Sequence, residues 1–284
     1  MSFDNVGVIG GGTMGAGIAE VSARSGCDVV VLEVSEPAIE AGKKRIESSL
    51  GRALRTGRLD EAEHDAIVGR IRYVTDYAEL HDRELVIEAA PEVEDLKFDV
   101  FRTLDEAVQP GAVLASNTSS IPLVKMAAVT KRPQQVVGVH FFNPVPVLPL
   151  VEVVESLLTS QDTLMAVTDF AEKQLGKQTI RSKDRAGFVV NALLIPYLLS
   201  AIRMLESGFA SAEDIDQGMT KGCAHPMGPL ALTDLIGLDT TMAVAQSMYA
   251  EFKEQLFAPP PLLMRMCEAG LLGRKAGQGF FSYA

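Results

Sequence analysis

The sequence is short of positive charge: 26 lysines and arginines face 37 aspartates and glutamates, a formal net charge of −11 over 284 residues. An acidic chain has no general electrostatic pull on nucleic acid or anionic membranes. Neither is expected as a partner, and a polyanionic ligand would need locally gathered positive charge. Cysteine is scarce. Cys27, Cys223 and Cys267 are odd in number, widely spaced and form no C-x-x-C pair. That argues against a disulfide framework, leaves no metal site to expect, and fits reduced thiols in the cytoplasm. No uninterrupted apolar stretch approaches the roughly 20 residues that span a bilayer. The apolar run at 6–9 meets glycines almost at once and follows no basic segment, so no targeting signal is expected. Internal repeats and low-complexity tracts are also absent.

What is present is a globular balance, 47% hydrophobic and 22% charged, in a length that suits one large domain or two smaller ones. Residues 6–9, 28–32, 72–75, 85–89, 113–116, 136–139 and 150–154 are short runs rich in Val, Ile and Leu. Helical spacing appears in 15–25, 37–55 and 61–70. Near-continuous apolar runs fit strands buried on both faces, and their alternation with helices predicts a mostly parallel, doubly wound α/β sheet. Beyond residue 180 the pattern changes. Residues 188–206, 212–220, 230–252 and 261–269 read as helices, with Ser211 and Asp214 as an N-cap and acidic first turn. A boundary near 182–186 is expected, dividing an α/β domain (1–184) from an all-helical C-terminal domain (185–284).

Gly10-Gly11-Gly12-Thr13-Met14-Gly15 fits G-x-G-x-x-G between a strand and an apolar-periodic helix. Gly10 permits the tight turn, Gly12 the approach of a pyrophosphate, and Gly15 close helix–strand packing, with the helix N-terminus facing the phosphates. The second strand ends at Glu33, about 20 residues on, where a carboxylate accepts from the adenine ribose and repels the extra phosphate of NADP. The first domain thus reads as a Rossmann-type domain for NAD.

A dinucleotide domain does not define a reaction. His140 follows a strand, and Glu152 is the one carboxylate in the next apolar run. If the turn over 143–149 reverses the chain, the two become cross-strand neighbours. The carboxylate would then fix the tautomer and leave the other ring nitrogen free to take a proton. Spacing leaves this open, because a lone histidine after a strand is more often structural.

The segment His140-Phe141-Phe142-Asn143-Pro144-Val145-Pro146 resembles the HFFNPVP motif of the 3-hydroxyacyl-CoA dehydrogenase family. Ser116-Asn117-Thr118-Ser119-Ser120, Gly187-Phe188-Val189-Val190-Asn191, His225-Pro226-Met227-Gly228-Pro229 and Gly273-Arg274-Lys275-Ala276-Gly277-Gln278-Gly279-Phe280 match in the same order. The resemblance implies NAD-dependent oxidation of a 3-hydroxyacyl-CoA, with the single-function length most similar to bacterial 3-hydroxybutyryl-CoA dehydrogenases. It implies His140 as general base, Glu152 as its partner, Ser119 on the reacting oxygen and beside the nicotinamide, and Asn191 as a substrate contact. Glu92, Lys97, Asn117, Asn143 and Lys275 are implied as further cofactor contacts. As bare residues, Glu92 and Lys97 read as an exposed helix pair. A homodimer built on the helical domain is also implied.

For coenzyme A, positive charge gathers where Arg45, Arg52 and Arg55 recur at helical spacing around Ser49, although a solvated charged face explains that spacing too. By resemblance Ser49 touches substrate. Thr56 stands where the family carries a basic residue, which shifts the expected grip onto Arg52 or Arg55. The alternatives are a dehydrogenase of a free 3-hydroxy or sugar acid, and a catalytically idle NAD-binding protein of the same fold.

Overall fold

The computed structural model describes residues 2–283. From the N-terminus, β1 (Asn5–Ile9), α1 (Thr13–Arg24) and β2 (Asp28–Leu32) form the first crossover unit. They are followed by α2 (Glu36–Arg55), α3 (Glu61–Gly69), β3 (Ile71–Val74), β4 (Leu85–Glu88), α4 (Glu94–Ala107), β5 (Val113–Ser116), α5 (Leu123–Ala128), β6 (Val136–Phe141), β7 (Leu150–Glu155), α6 (Gln161–Asp169) and β8 (Gln178–Lys183). These strands make one sheet in the order β3-β2-β1-β4-β5-β6-β7-β8. Pairing is parallel from β3 through to β6, antiparallel between β6 and β7, and parallel again between β7 and β8. Every residue of β4, β5 and β6 is buried. Since successive side chains point to opposite faces, both faces of the sheet are covered there. The strand order reverses between β1 and β4, so the crevice beyond their carboxyl ends is the ligand edge of this sheet.

The chain divides into two compact units, one ending at Asp184 and the other beginning at Arg185. The second carries α7 (Val190–Glu206), α8 (Ala212–Gln217), α9 (Pro229–Ile236), α10 (Leu238–Phe252) and α11 (Pro261–Glu268) around its own core of Ile195, Leu199, Ile202, Leu230, Met248 and Leu263. Ser211 caps α8 by accepting from the Asp214 N–H at 3.1 Å, as the spacing predicts. Two family-like segments have packing reasons. The Asp216 carboxylate accepts from the Leu230 and Ala231 N–H groups at the start of α9, and a Cβ on Gly228 would lie 2.1 Å from it. Asp234, buried in α9, accepts from the Phe280 and Phe281 N–H groups and the Tyr283 hydroxyl, fastening the last segment to the helices.

Three boundaries differ from the sequence reading. β8 appears where no strand was expected; all of its residues are exposed or half-buried, so it has no continuous apolar signature. The single helix expected over 230–252 is two helices, broken at Gly237 with φ +102°. The helix expected from 188 begins at Val190, because Phe188 takes φ +48°. Among the described residues, no helix is long and apolar enough to cross a membrane.

Candidate active site

The glycine-rich turn follows β1. Gly10 has φ +90°, and a Cβ on Gly15 would sit 1.8 Å from the Gly10 carbonyl oxygen. The turn can therefore close onto the helix only with glycine there. A Cβ on Gly12 would meet nothing within 4 Å: its side faces open space, as a loop that cradles a phosphate must. Helix α1, beginning at Thr13 and Met14, has no side-chain cap, so its first N–H groups are free to donate to an anion. Glu33, just after β2, accepts from the Gly11 N–H at 2.5 Å and from the Val34 N–H at 3.2 Å. These bonds hold its carboxylate beside the turn. Arg45 of α2 reaches the same turn, donating to the Gly11 carbonyl at 3.2 Å. The residues therefore fit a dinucleotide: open backbone for the pyrophosphate and a fixed carboxylate for a ribose diol.

At the other side of the crevice, His140 and Glu152 are direct register partners of the antiparallel pair β6–β7. His140 Nδ1 lies 2.7 Å from Glu152 Oε2, with His140 5% and Glu152 0% exposed. The carboxylate can only accept, so Nδ1 carries the proton. Nε2 of the neutral ring is then an acceptor. Ser119 Oγ lies 3.0 Å from Nε2, so its hydroxyl donates there. The ring of Phe142 packs edge-to-face with the imidazole, 4.7 Å between centroids. The arrangement suits general-base chemistry: a buried carboxylate orients the ring from behind and a hydroxyl meets it in front.

The turn that carries Ser119 is held by a charged cluster. Lys97, 1% exposed, donates to Glu88 Oε1 at 2.6 Å and to the Ala90 carbonyl at 3.2 Å, and lies 3.3 Å from Glu92 Oε2. Its reading as half of an exposed helix pair is thereby corrected: a lysine on a buried helix face is tolerated because three acceptors meet its three N–H donors. Glu92 Oε1 accepts from the Thr118 and Ser120 hydroxyls and the Ser119 and Ser120 N–H groups at 2.6–3.0 Å. Burial pushes the Glu92 carboxyl up, but the Lys97 charge and these hydrogen bonds outweigh it and hold it below the usual carboxylate range. Asn117 Oδ1 accepts from the Phe141 N–H at 2.9 Å, tying the end of β5 to the end of β6 beside His140.

Between α1, α2 and the turn after β6 lies a hollow of about 350 Å³, lined by Lys44, Arg45, Ser48, Ser49, Arg52 and Asn143 among others. Here the first domain gathers the local positive charge that an acidic chain needs for a polyanion. Arg55 and Thr56 are exposed near the end of α2, and neither lines the hollow. Thr56 instead caps the helix, its hydroxyl donating to the Arg52 and Ala53 carbonyls. In the helical unit, Asn191 lies half-buried in the first turn of α7, and Lys275 is exposed with its ammonium paired to Asp239 at 2.5 Å.

Sequence reasoning gave no role to Glu88, Ser116 or Lys177. Glu88 is visible as the one charge in the run Leu85-Val86-Ile87-Glu88. Lys177, which donates to the Val145 and Leu148 carbonyls at 2.6 and 2.8 Å and so pins the turn after His140, carries no signal in the sequence.

Comparison with known proteins identifies the family. The family model "3-hydroxyacyl-CoA dehydrogenase, NAD binding domain" matches residues 5–185, and the corresponding C-terminal domain matches residues 187–283. A 3-hydroxybutyryl-CoA dehydrogenase of Mycobacterium tuberculosis is 56% identical over 283 residues, 99% of either chain. Crystal structures of M. tuberculosis FadB2 (TM-score 0.99, 56% identity, 100% of both chains) and of (S)-3-hydroxybutyryl-CoA dehydrogenase PaaH1 from Ralstonia eutropha (TM-score 0.94, 45% identity, 99% of both chains) share the fold. The chain belongs to the 3-hydroxyacyl-CoA dehydrogenase family, and its first domain is that family's NAD-binding domain.

Proposed function

We propose that this protein catalyses the reversible, NAD-dependent oxidation of an L-3-hydroxyacyl-CoA to the 3-ketoacyl-CoA, with the four-carbon 3-hydroxybutyryl thioester as its preferred substrate. The observation that carries the chemistry is the chain Glu152–His140–Ser119, with contacts of 2.7 and 3.0 Å. The relatives named 3-hydroxybutyryl-CoA dehydrogenases support the substrate.

NAD, when bound, supplies the hydride acceptor. His140 Nε2 takes the 3-hydroxyl proton as the carbonyl forms. Glu152, buried behind the ring, stabilises the imidazolium that results, and in the reverse direction the same imidazolium returns the proton. Ser119 donates to the reacting oxygen, which displaces its bond to Nε2. Gly10, Gly11, Gly12, Thr13, Met14 and Gly15 hold the pyrophosphate and Glu33 the adenine ribose. Glu92, Lys97, Asn117, Ser119 and Asn143 serve the nicotinamide side, Lys97 through the two carboxylates that enclose it. Ser49 and Arg52, in the basic hollow, grip the coenzyme A. Asn191 and Lys275 keep their substrate and cofactor roles on family resemblance alone.

The same reading includes a cytoplasmic homodimer with the helical domain as its interface. Exposed Leu193 and Phe209, 74% and 79% accessible, support pairing of that domain with a second copy. The test is NADH oxidation with acetoacetyl-CoA, acetoacetate and longer 3-ketoacyl-CoAs. Turnover should require the thioester and be fastest with the four-carbon chain; acetoacetate reduced equally well would select the free-acid reading.

A further inference from the structure

Glu88 ends β4, in register with Ile9 of β1 on one side and Ser116 of β5 on the other. It is fully buried, and both carboxylate oxygens are committed. Oε2 accepts from Ser116 Oγ at 2.6 Å; Oε1 accepts from the Ala90 N–H at 2.7 Å and from Lys97 Nζ at 2.6 Å. Two arms lead from this carboxylate to one turn. Through the first, Ser116 Oγ accepts from the Thr118 N–H at 3.1 Å. Through the second, Lys97 meets Glu92, whose Oε1 gathers donors from Thr118, Ser119 and Ser120. Ser119 stands between the two anchors, with its hydroxyl on His140 Nε2.

Burying a lysine–carboxylate pair has a desolvation cost that an apolar pair of similar volume avoids. Such a pair would fill the space between β4 and α4 but could not hold Glu92 or Ser116 in place. We propose that Glu88 is a positioning residue for the dehydrogenase reaction. Through Ser116 and through Lys97–Glu92 it fixes the 116–120 turn, and thereby aims the Ser119 hydroxyl at the reacting end of His140. This rests on the reading of Ser119 and His140 as the groups that meet the substrate oxygen.

The test uses the full-length protein with Glu88→Gln, Glu92→Gln and Ser119→Ala, singly and with each glutamine variant combined with Ser119→Ala. kcat and KM are measured with acetoacetyl-CoA and NADH. The ¹⁵N resonance of His140 Nε2 is followed in the free protein, where only four histidines need assignment. A misaimed donor costs kcat about ten- to a hundredfold, so Glu88→Gln should lose that factor with little change in the acetoacetyl-CoA KM. Its His140 resonance should move in the same direction as in Ser119→Ala. On the Ser119→Ala background, Glu88→Gln should cost no more than about twofold further, because residues acting through one group are not additive. An unchanged kcat, an unmoved resonance or a full multiplicative loss in the double variant would overturn the proposal. If Glu88→Gln does not fold, Ser116→Ala, which cuts the direct link from Glu88 to the turn, decides by the same resonance and the same double variant with Ser119→Ala. Full activity in Ser119→Ala would instead refute the underlying reading of Ser119.

Discussion

Replacing Glu152 with glutamine isolates the charge behind the general base. The substitution keeps the size of the side chain and an oxygen able to accept from His140 Nδ1, now 2.7 Å from the carboxylate in a site 0% exposed at Glu152. It removes the negative charge facing the ring when His140 becomes an imidazolium. Unit charges about 4 Å apart attract by about 4 kcal/mol at an effective dielectric constant of about 20. Since about 1.4 kcal/mol is tenfold in rate, kcat should fall by about a thousandfold. A carboxamide can also turn its NH₂ toward Nδ1, which stabilises the wrong tautomer and adds to the loss. The overall equilibrium constant cannot change, so kcat/KM must fall by the same factor in the two directions. The assay is absorbance of NADH with 3-hydroxybutyryl-CoA forward and acetoacetyl-CoA in reverse, with NADH affinity by fluorescence and a thermal melt as controls. A kcat within about tenfold of the parent, in a folded protein that binds NADH normally, would refute the electrostatic argument.

Glu33→Ala should raise the NADH Kd about ten- to a hundredfold, as expected for lost hydrogen bonds to a charged group, and should narrow the gap to NADPH. Fluorescence titration with both cofactors checks this, and an unchanged ratio would reject the ribose assignment. Arg52→Ala should raise the KM for acetoacetyl-CoA about three- to fivefold with kcat preserved, the modest effect of an exposed charge. The effect should shrink at high salt and vanish with acetoacetyl-pantetheine; an identical KM in parent and variant would place the phosphate grip elsewhere. Glu92, held below its ordinary value of 4.5, contributes stability that is complete above that value and is lost as pH falls through its folded value. Melting curves between about pH 6 and pH 3 should therefore show the parent losing more Tm than Glu92→Gln on acidification. Parallel curves would contradict the ion-pair assignment.

The parts of this site that depend on local pattern were legible in the sequence. The glycine spacing after an apolar run, and Glu33 at the end of the next, already describe one edge of a crevice. His140 and Glu152 could be named as a candidate pair, but spacing left their pairing open until the antiparallel register of β6 and β7 set them opposite each other. Resemblance was needed to raise Ser119 above an ordinary cap. What the pattern could not show is which charges are buried. Lys97 looks like a surface residue, since the two carboxylates that accept its charge come from β4 and from the loop before α4. β8 was missed for a related reason: its polar, half-exposed residues pair with β7 through backbone bonds that leave no mark on composition. Gly237 sits within an apolar helical run, and only its positive φ shows that the run is two helices.

The central claim is that His140 is the base and the cofactor site is independent of it. His140→Gln, assayed for acetoacetyl-CoA-dependent NADH oxidation and for NADH affinity in the same preparation, tests both halves. General-base loss predicts a kcat lower by at least about a hundredfold, with the NADH Kd within about twofold of the parent. A variant that turns over at the parent rate would contradict the account.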